Sequence, residues 1–179
     1  MLDALWYYPR VSGPVLAFDI ETTGFRDADR VTCVCAYEPS TSVEFSRVLP
    51  SGDRCDEFLD LLDAAPLLCA FNGVSFDLPF MASRWGLPPS RVSFWVRKLV
   101  DPFQACKLCL GLTFSLDSLL SCNGLPVKTA SGKEAVDMFQ DGRWGQLAEY
   151  CMQDTKRTHL VATAPALLLP RTLSSQKKN

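Results

Sequence analysis

Histidine is nearly absent from this chain: His159 is the single one among 179 residues. That scarcity bears on zinc, because a structural zinc site takes four Cys or His ligands. Cys106-Lys-Leu-Cys109 offers a CxxC pair, but no second CxxC and no histidine pair stands elsewhere to complete it. A zinc or redox role for that pair is left with little support. Long apolar runs are missing too. Leu160 to Pro170 is too short to cross a bilayer, and the opening Met1-Leu-Asp-Ala-Leu-Trp-Tyr-Tyr-Pro-Arg10 has neither a basic leader nor an apolar signal region. A soluble, intracellular protein with no membrane partner is the expectation. Charge of one sign is not in excess either. The net charge of −2 argues against wrapping duplex nucleic acid by bulk electrostatics. Four acids committed to a metal would leave the rest of the surface mildly basic, so local contact with nucleic acid stays open. Repeats, low-complexity tracts and interdomain linkers are also absent.

What is present suits a packed core. An apolar content of 47% over this length fits one domain, expected at residues 1–170, with 171–179 as a flexible tail. The eight cysteines are scattered, mostly inside apolar segments (Cys33, Cys35, Cys69, Cys151), which reads as buried free thiols and not as a disulfide framework.

Val15 to Ile20, Val31 to Glu38 and Ser42 to Leu49 read as three strands in an antiparallel meander. Asp53 to Ala65 has helical periodicity, with acids in its first turn where they suit the helix dipole. Pro66 to Phe71 reads as a short strand. A helix to about Trp85 follows, with Ser75 as the expected N-cap. Residues 91–110 read as a short helix, an edge strand around Lys98 to Asp101 and another helix. Ser115 to Cys122 looks helical, Ser131-Gly-Lys-Glu134 is a capping-box pattern, and a long helix spans about Trp144 to Thr163. Three antiparallel strands, a helix, a further strand and then mainly helices predict an α/β, ribonuclease H-like fold: a mixed sheet in which parallel strands follow the meander, with helices on both faces.

Within the first strand, Phe18-Asp-Ile-Glu-Thr-Thr-Gly24 sets Asp19 and Glu21 two residues apart, so both project to one face. Like charges held together away from bulk water are costly unless a cation lies between them, which points to a divalent metal. On the long helix, Leu147, Cys151, Thr158 and Val161 mark a buried face, with Tyr150 and Asp154 one turn apart on or beside it. Asp154 needs a partner there. Arg157 could supply it, and a metal shared with Asp19 and Glu21 would also account for the tyrosine. Asp77 follows a predicted strand at a helix start, where a dipole-stabilised entrance residue is the ordinary reading.

These segments resemble the DEDD superfamily of 3′–5′ exonucleases, in its tyrosine branch, and look most like the proofreading-type exonuclease domains related to family B DNA polymerases. The first motif stands as Phe18-Asp19-Ile20-Glu21-Thr22, the second as Asn72-Gly-Val-Ser-Phe76-Asp77 and the third as Tyr150-Cys-Met-Gln-Asp154. The histidine variant of the third motif has its base five residues before the aspartate, at Glu149 here. The tyrosine variant has it four before, at Tyr150. His159 is read as structural.

The resemblance implies hydrolysis of phosphodiester bonds at the 3′ end of single-stranded or frayed DNA, or of RNA. Two divalent ions, Mg²⁺ or Mn²⁺, would lie roughly 4 Å apart on Asp19, Glu21, Asp77 and Asp154, with Asp19 bridging them. Tyr150 would orient the attacking water, since an ordinary tyrosine titrates near 10. Thr22, Thr23, Gly24, Asn72 and Phe76 would contact substrate. Phe25 could stack on a base, although an aromatic after a turn is more often core. Trp85, Trp95 and Phe103 read as core. Lys98, Lys107, Lys128, Lys133 and Arg143 could meet phosphates, with a solvated face as the default. With no polymerase domain in the chain, proofreading would need replication or repair proteins in trans. The competing reading is a catalytically idle domain that binds nucleic acid or serves as a scaffold.

Overall fold

The computed structural model describes residues 5–6, 13–26, 28–127 and 132–170. Five strands form one mixed sheet in the order β4-β3-β2-β5-β6, made by β2 (Val15–Thr22), β3 (Val31–Glu38), β4 (Val43–Val48), β5 (Leu67–Cys69) and β6 (Leu99–Val100). The meander is antiparallel, and β5 and β6 join it in parallel. This is the ribonuclease H-like, α/β arrangement anticipated from the element order.

Period-two alternation decides what each face of β2 and β3 meets. Leu16, Phe18, Ile20, Val34 and Ala36 enter a core shared with α1 (Asp56–Ala64), α2 (Asp77–Trp85) and α3 (Pro89–Val96). Phe58, Leu59, Leu78, Met81 and Trp95 of those helices are almost fully buried against them. From the opposite face, Cys33 and Cys35 meet Leu147, Tyr150 and Cys151 of the long helix, with Ala135 of the helix before it. Of the remaining helices, α4 spans Pro102–Leu110, α5 Leu116–Cys122, α6 Gly132–Gln140 and α7 Trp144–Thr163. Helices thus cover both faces, and α7 is the one laid across the side from which Asp19 and Glu21 project. Among the described residues no helix is long and apolar enough to cross a membrane.

Several local expectations are corrected. Helix α1 starts at Asp56, behind Cys55, and not at Asp53, whose carboxylate accepts from the Ser51 hydroxyl outside the helix. Ser75 does not cap α2. Phe76 holds that position without a side-chain cap, because the Ser75 hydroxyl is engaged by the Gln104 amide. Strand β5 is shorter than Pro66 to Phe71, and α3 begins at Pro89, ahead of Arg91. A small antiparallel pairing of β1 (Leu5–Trp6) with β7 (Leu167–Leu168) was not foreseen. Two residues per strand carry too little periodicity to read. The capping box at Ser131, Lys128 and the tail at 171–179 lie outside the described residues.

Candidate active site

The site is built where β2 runs out of partners. Strand β5 pairs with β2 only as far as Ala17↔Cys69, two residues short of Asp19. On the other edge the ladder with β3 shifts between Glu21↔Cys33 and Thr22↔Val31, a bulge that leaves the buried Thr32 unpaired opposite β2. Bulges of this kind bend a strand and end its pairing. The two acids therefore stand at the last regular stretch of the central strand, half-buried, with Cys151 of α7 against them. One ligand atom from each of Asp19, Glu21 and Cys151 falls within a set spanning 4.8 Å. The Cys151 thiol lies 3.8 Å from Asp19 Oδ2.

Tyr150 and Asp154 are both buried on α7. The Tyr150 phenol is held well above its ordinary range, first by burial and then by the charges of Asp154, Glu21 and Asp19, so these four groups share one electrostatic neighbourhood. A hydrogen bond with Asp154 acts in the same direction. The expected ion pair is made: Arg157 Nη1 stands 3.0 Å from Asp154 Oδ1, and Nη2 donates to the Val127 carbonyl at 3.1 Å. Among the described residues the tight set around Asp19 and Glu21 includes neither Asp154 nor Asp77.

Asp77 arrives from the opposite layer. It opens α2, is 3% exposed, and takes a backbone hydrogen bond from Ile20 on the edge of β2 that β5 leaves open. Burial, aided by the charge of Asp101, raises its carboxyl to about 7. Its Oδ1 is buried with no hydrogen-bond partner among the described residues. A buried carboxylate oxygen without a donor is an unstable arrangement in water-free surroundings, and a cation would relieve it.

The chain belongs to the RNase H superfamily. Its family model matches residues 16–164, which include every acid described above. No curated protein matches the chain. Among solved structures it is similar to the family B DNA polymerase of the hyperthermophilic archaeon Pyrobaculum calidifontis, with 18% identity and a TM-score of 0.65. The match covers 83% of this chain and 24% of that one, so the chain spans about a quarter of the polymerase's length. That likeness is one of fold. Membership of the RNase H superfamily points to nuclease chemistry, which generally uses divalent metal ions. The residues present fit such ions: hard carboxylate oxygens of Asp19 and Glu21 converge at the end of β2, and among the described residues no hydrogen-bond donor meets the buried Asp77 Oδ1.

Around this RNase H-like centre, two loops carry the remaining residues singled out in the sequence. After β2, Thr22 Oγ1 donates to the Gly24 carbonyl at 2.9 Å, and Thr23 Oγ1 donates to Asp29 Oδ1 at 2.8 Å. Asp29 also accepts from the Arg26 backbone, and both bonds pull its carboxyl below the usual carboxylate range. It lies so close that a Cβ on Gly24 would come within 2.6 Å of Asp29 Oδ2, which explains the glycine without any ligand. Phe25 corrects the expectation of a core aromatic: it is 85% exposed and lies edge-on to Phe76, with ring centroids 5.5 Å apart.

The second loop, residues 70–76, is fastened by a residue that sequence reasoning missed. Asp101 accepts from the backbone of Asn72 and Val74, each at 3.0 Å, and from Gln104 at 3.1 Å. The Gln104 amide in turn donates to Asn72 Oδ1 at 2.9 Å. Asn72 adopts a left-handed backbone, φ 68°, and the following Gly73 leaves no room for a side chain, since a Cβ would meet that of Ala70 at 2.5 Å. The Asp101-Pro102 step is a helix-start signature that could have revealed the cap on α4, though not its reach across 29 residues to Asn72.

Trp85 and Trp95 are core, as expected, and Phe103 is half-buried against Phe71. His159 is structural in its surroundings, lying edge-on to Tyr37 and 3.8 Å from Glu38. Lys98 is diverted from any phosphate: its ammonium donates to the Asp63 and Ala65 carbonyls at the end of α1.

Proposed function

We propose that the chain is a metal-dependent 3′–5′ exonuclease of the tyrosine-bearing DEDD kind, acting at the 3′ end of single-stranded or frayed DNA or RNA. The observation that supports it most is the meeting of Asp19 and Glu21 with Tyr150 and Asp154, one turn apart on α7, in a shared electrostatic neighbourhood. Two sequence motifs 130 residues apart have no reason to converge this way in a core that merely needs filling.

Asp19, Glu21, Asp77 and Asp154 would hold two Mg²⁺ or Mn²⁺ ions. Bound there, the ions supply Lewis acidity toward the phosphate and make water a better nucleophile. The chain's own groups do the rest. Tyr150 stays protonated at neutral pH and serves as a hydrogen-bonding group that orients the attacking water or a phosphate oxygen, not as a base. Phe25, exposed beside the Thr22 to Gly24 turn, offers a face for a terminal base. Asn72, held by the Asp101 network, and Phe76, edge-on to Phe25, would line the substrate from the neighbouring loop. A groove of about 470 Å³ lined by Thr23, Arg30, Phe139 and Trp144 continues from the turn and suits the strand leading to the 3′ end. Replication or repair proteins are the partners this reading suggests.

The idle-scaffold reading has one observation in its favour, the Asp154–Arg157 ion pair, which neutralises one acid without metal. Incubating the protein with 5′-labelled single-stranded DNA and RNA in Mg²⁺ or Mn²⁺ separates the two. A ladder of products shortened from the 3′ end is expected. Intact substrate in every condition, with folded protein, would leave the scaffold.

A further inference from the structure

Directly beneath the carboxylate pair lies a second cluster of potential ligands. Cys33 and Cys35 face inward from β3, in register with Glu21 and Asp19, and Cys151 faces them from α7. All three are 0% exposed, and their sulfurs lie within 4.8 Å of one another. Their hydrogen bonds to oxygen are long, to the Val34 carbonyl at 4.0 Å, the Ala148 carbonyl at 3.8 Å, and the Asp19 carbonyl and Oδ2 at 3.7 and 3.8 Å, and the three thiols also interact with one another.

Buried cysteine usually serves as a small apolar side chain, and the other buried thiols here, such as Cys55, Cys69 and Cys106, fit that role. Convergence of three sulfurs from two elements is a different arrangement. A tetrahedral zinc ion with Zn–S bonds of about 2.3 Å sets its sulfurs roughly 3.8 Å apart, inside the 4.8 Å within which all three sulfurs lie. Asp19 Oδ2 lies 3.8 Å from Cys151 Sγ and belongs to the neighbouring set with Glu21, so the sulfur cluster is defined by its three thiols.

We infer that Cys33, Cys35 and Cys151 form a three-sulfur binding site for one thiophilic divalent metal ion of the zinc class. Binding releases the three thiol protons to solvent as three metal–sulfur bonds form, so the ion's double positive charge meets three thiolates. Hard Mg²⁺ does not compete for such sulfur ligands, whereas Zn²⁺, Cd²⁺ and Co²⁺ do. The site stands on the sulfur geometry alone and does not depend on the nuclease reading.

The test uses the whole chain, reduced with a phosphine and stripped of metal. Titration with Co²⁺ should give a thiolate-to-cobalt charge-transfer band with tetrahedral visible bands, saturating at one equivalent. Zn²⁺ should bleach it one for one and excess Mg²⁺ should not. Cys33→Ala and Cys151→Ala should lose the band, while Cys109→Ser and Cys106→Ser keep it. Absence of the band, or its loss in the Cys109→Ser protein, overturns the site. Because a core variant can fail to fold, X-ray absorption at the zinc edge of the loaded wild-type protein gives an independent count. Three sulfurs support the site and fewer than three overturn it.

Discussion

Asp154 Oδ1 and Arg157 Nη1 lie 3.0 Å apart on one face of α7, so the acid that a metal centre would claim is already matched by a cation. Both side chains are nearly buried, 10% and 12% exposed, which makes the pair expensive to break. Removing one member of a buried pair leaves an uncompensated charge and costs about 3–5 kcal/mol. Arg157→Ala should therefore lower stability by this order in EDTA. If Asp154 is a metal ligand, Mn²⁺ should return much of the loss by taking the place of the guanidinium charge. Thermal melts with EDTA and with Mn²⁺ read this directly, and an Mn²⁺-insensitive loss would assign the pair to structure alone.

Asp77 is predicted to give the metal-free protein an inverted pH dependence. Its carboxyl is raised in the folded state to about 7 from an ordinary value of 3.8, so the folded protein holds a proton there that the unfolded chain has lost. Stability from this group is full below about 4, falls as pH rises through the window to 7, and is flat above. Asp77→Asn should flatten the decline. Denaturant midpoints measured in EDTA between pH 4 and 8 provide the comparison, and an unchanged slope in the variant would place the carboxyl's titration elsewhere.

Tyr150→Phe tests positioning against proton transfer. In the metal-free protein burial and three neighbouring carboxylates hold the phenol above its ordinary range, and the expectation is that it contributes no ionisation to activity in the neutral range. The variant should lose on the order of 10²-fold in kcat, the lower end for a group aligned on the reacting water, with the pH–rate profile keeping its shape. A profile that loses its acidic limb in the variant would mean that Tyr150 does act as the base.

Much of this architecture is legible in the sequence because it rests on regular periodicity. The alternation in β2 places Asp19 and Glu21 together, and the helical spacing in α7 stacks Tyr150 under Asp154. Residues whose role lies in distant loop contacts are not legible in the same way. Asp101 reads as the end of an edge strand, yet it caps α4 and ties down the Asn72 and Val74 amides far away in sequence. Ser75 has every local mark of an N-cap and is drawn off by Gln104. Nor does spacing along the chain bring Cys151 to Cys33 and Cys35; only the packing of α7 on β3 does so.

Phe25 is the sharpest departure from pattern, a large aromatic left 85% exposed at the edge of the carboxylate site. An exposed ring contributes little to folding, so Phe25→Ala should leave the melting temperature within the small range of surface substitutions. Stacking of one base on an aromatic is worth about 1–3 kcal/mol, equivalent to roughly 5- to 150-fold in affinity. In a single-strand cleavage assay that loss should fall on KM for substrates with an unpaired 3′ end, and Phe25→Trp should restore it. A KM unaffected by removal of the ring, with activity otherwise normal, would exclude Phe25 from the path of the strand.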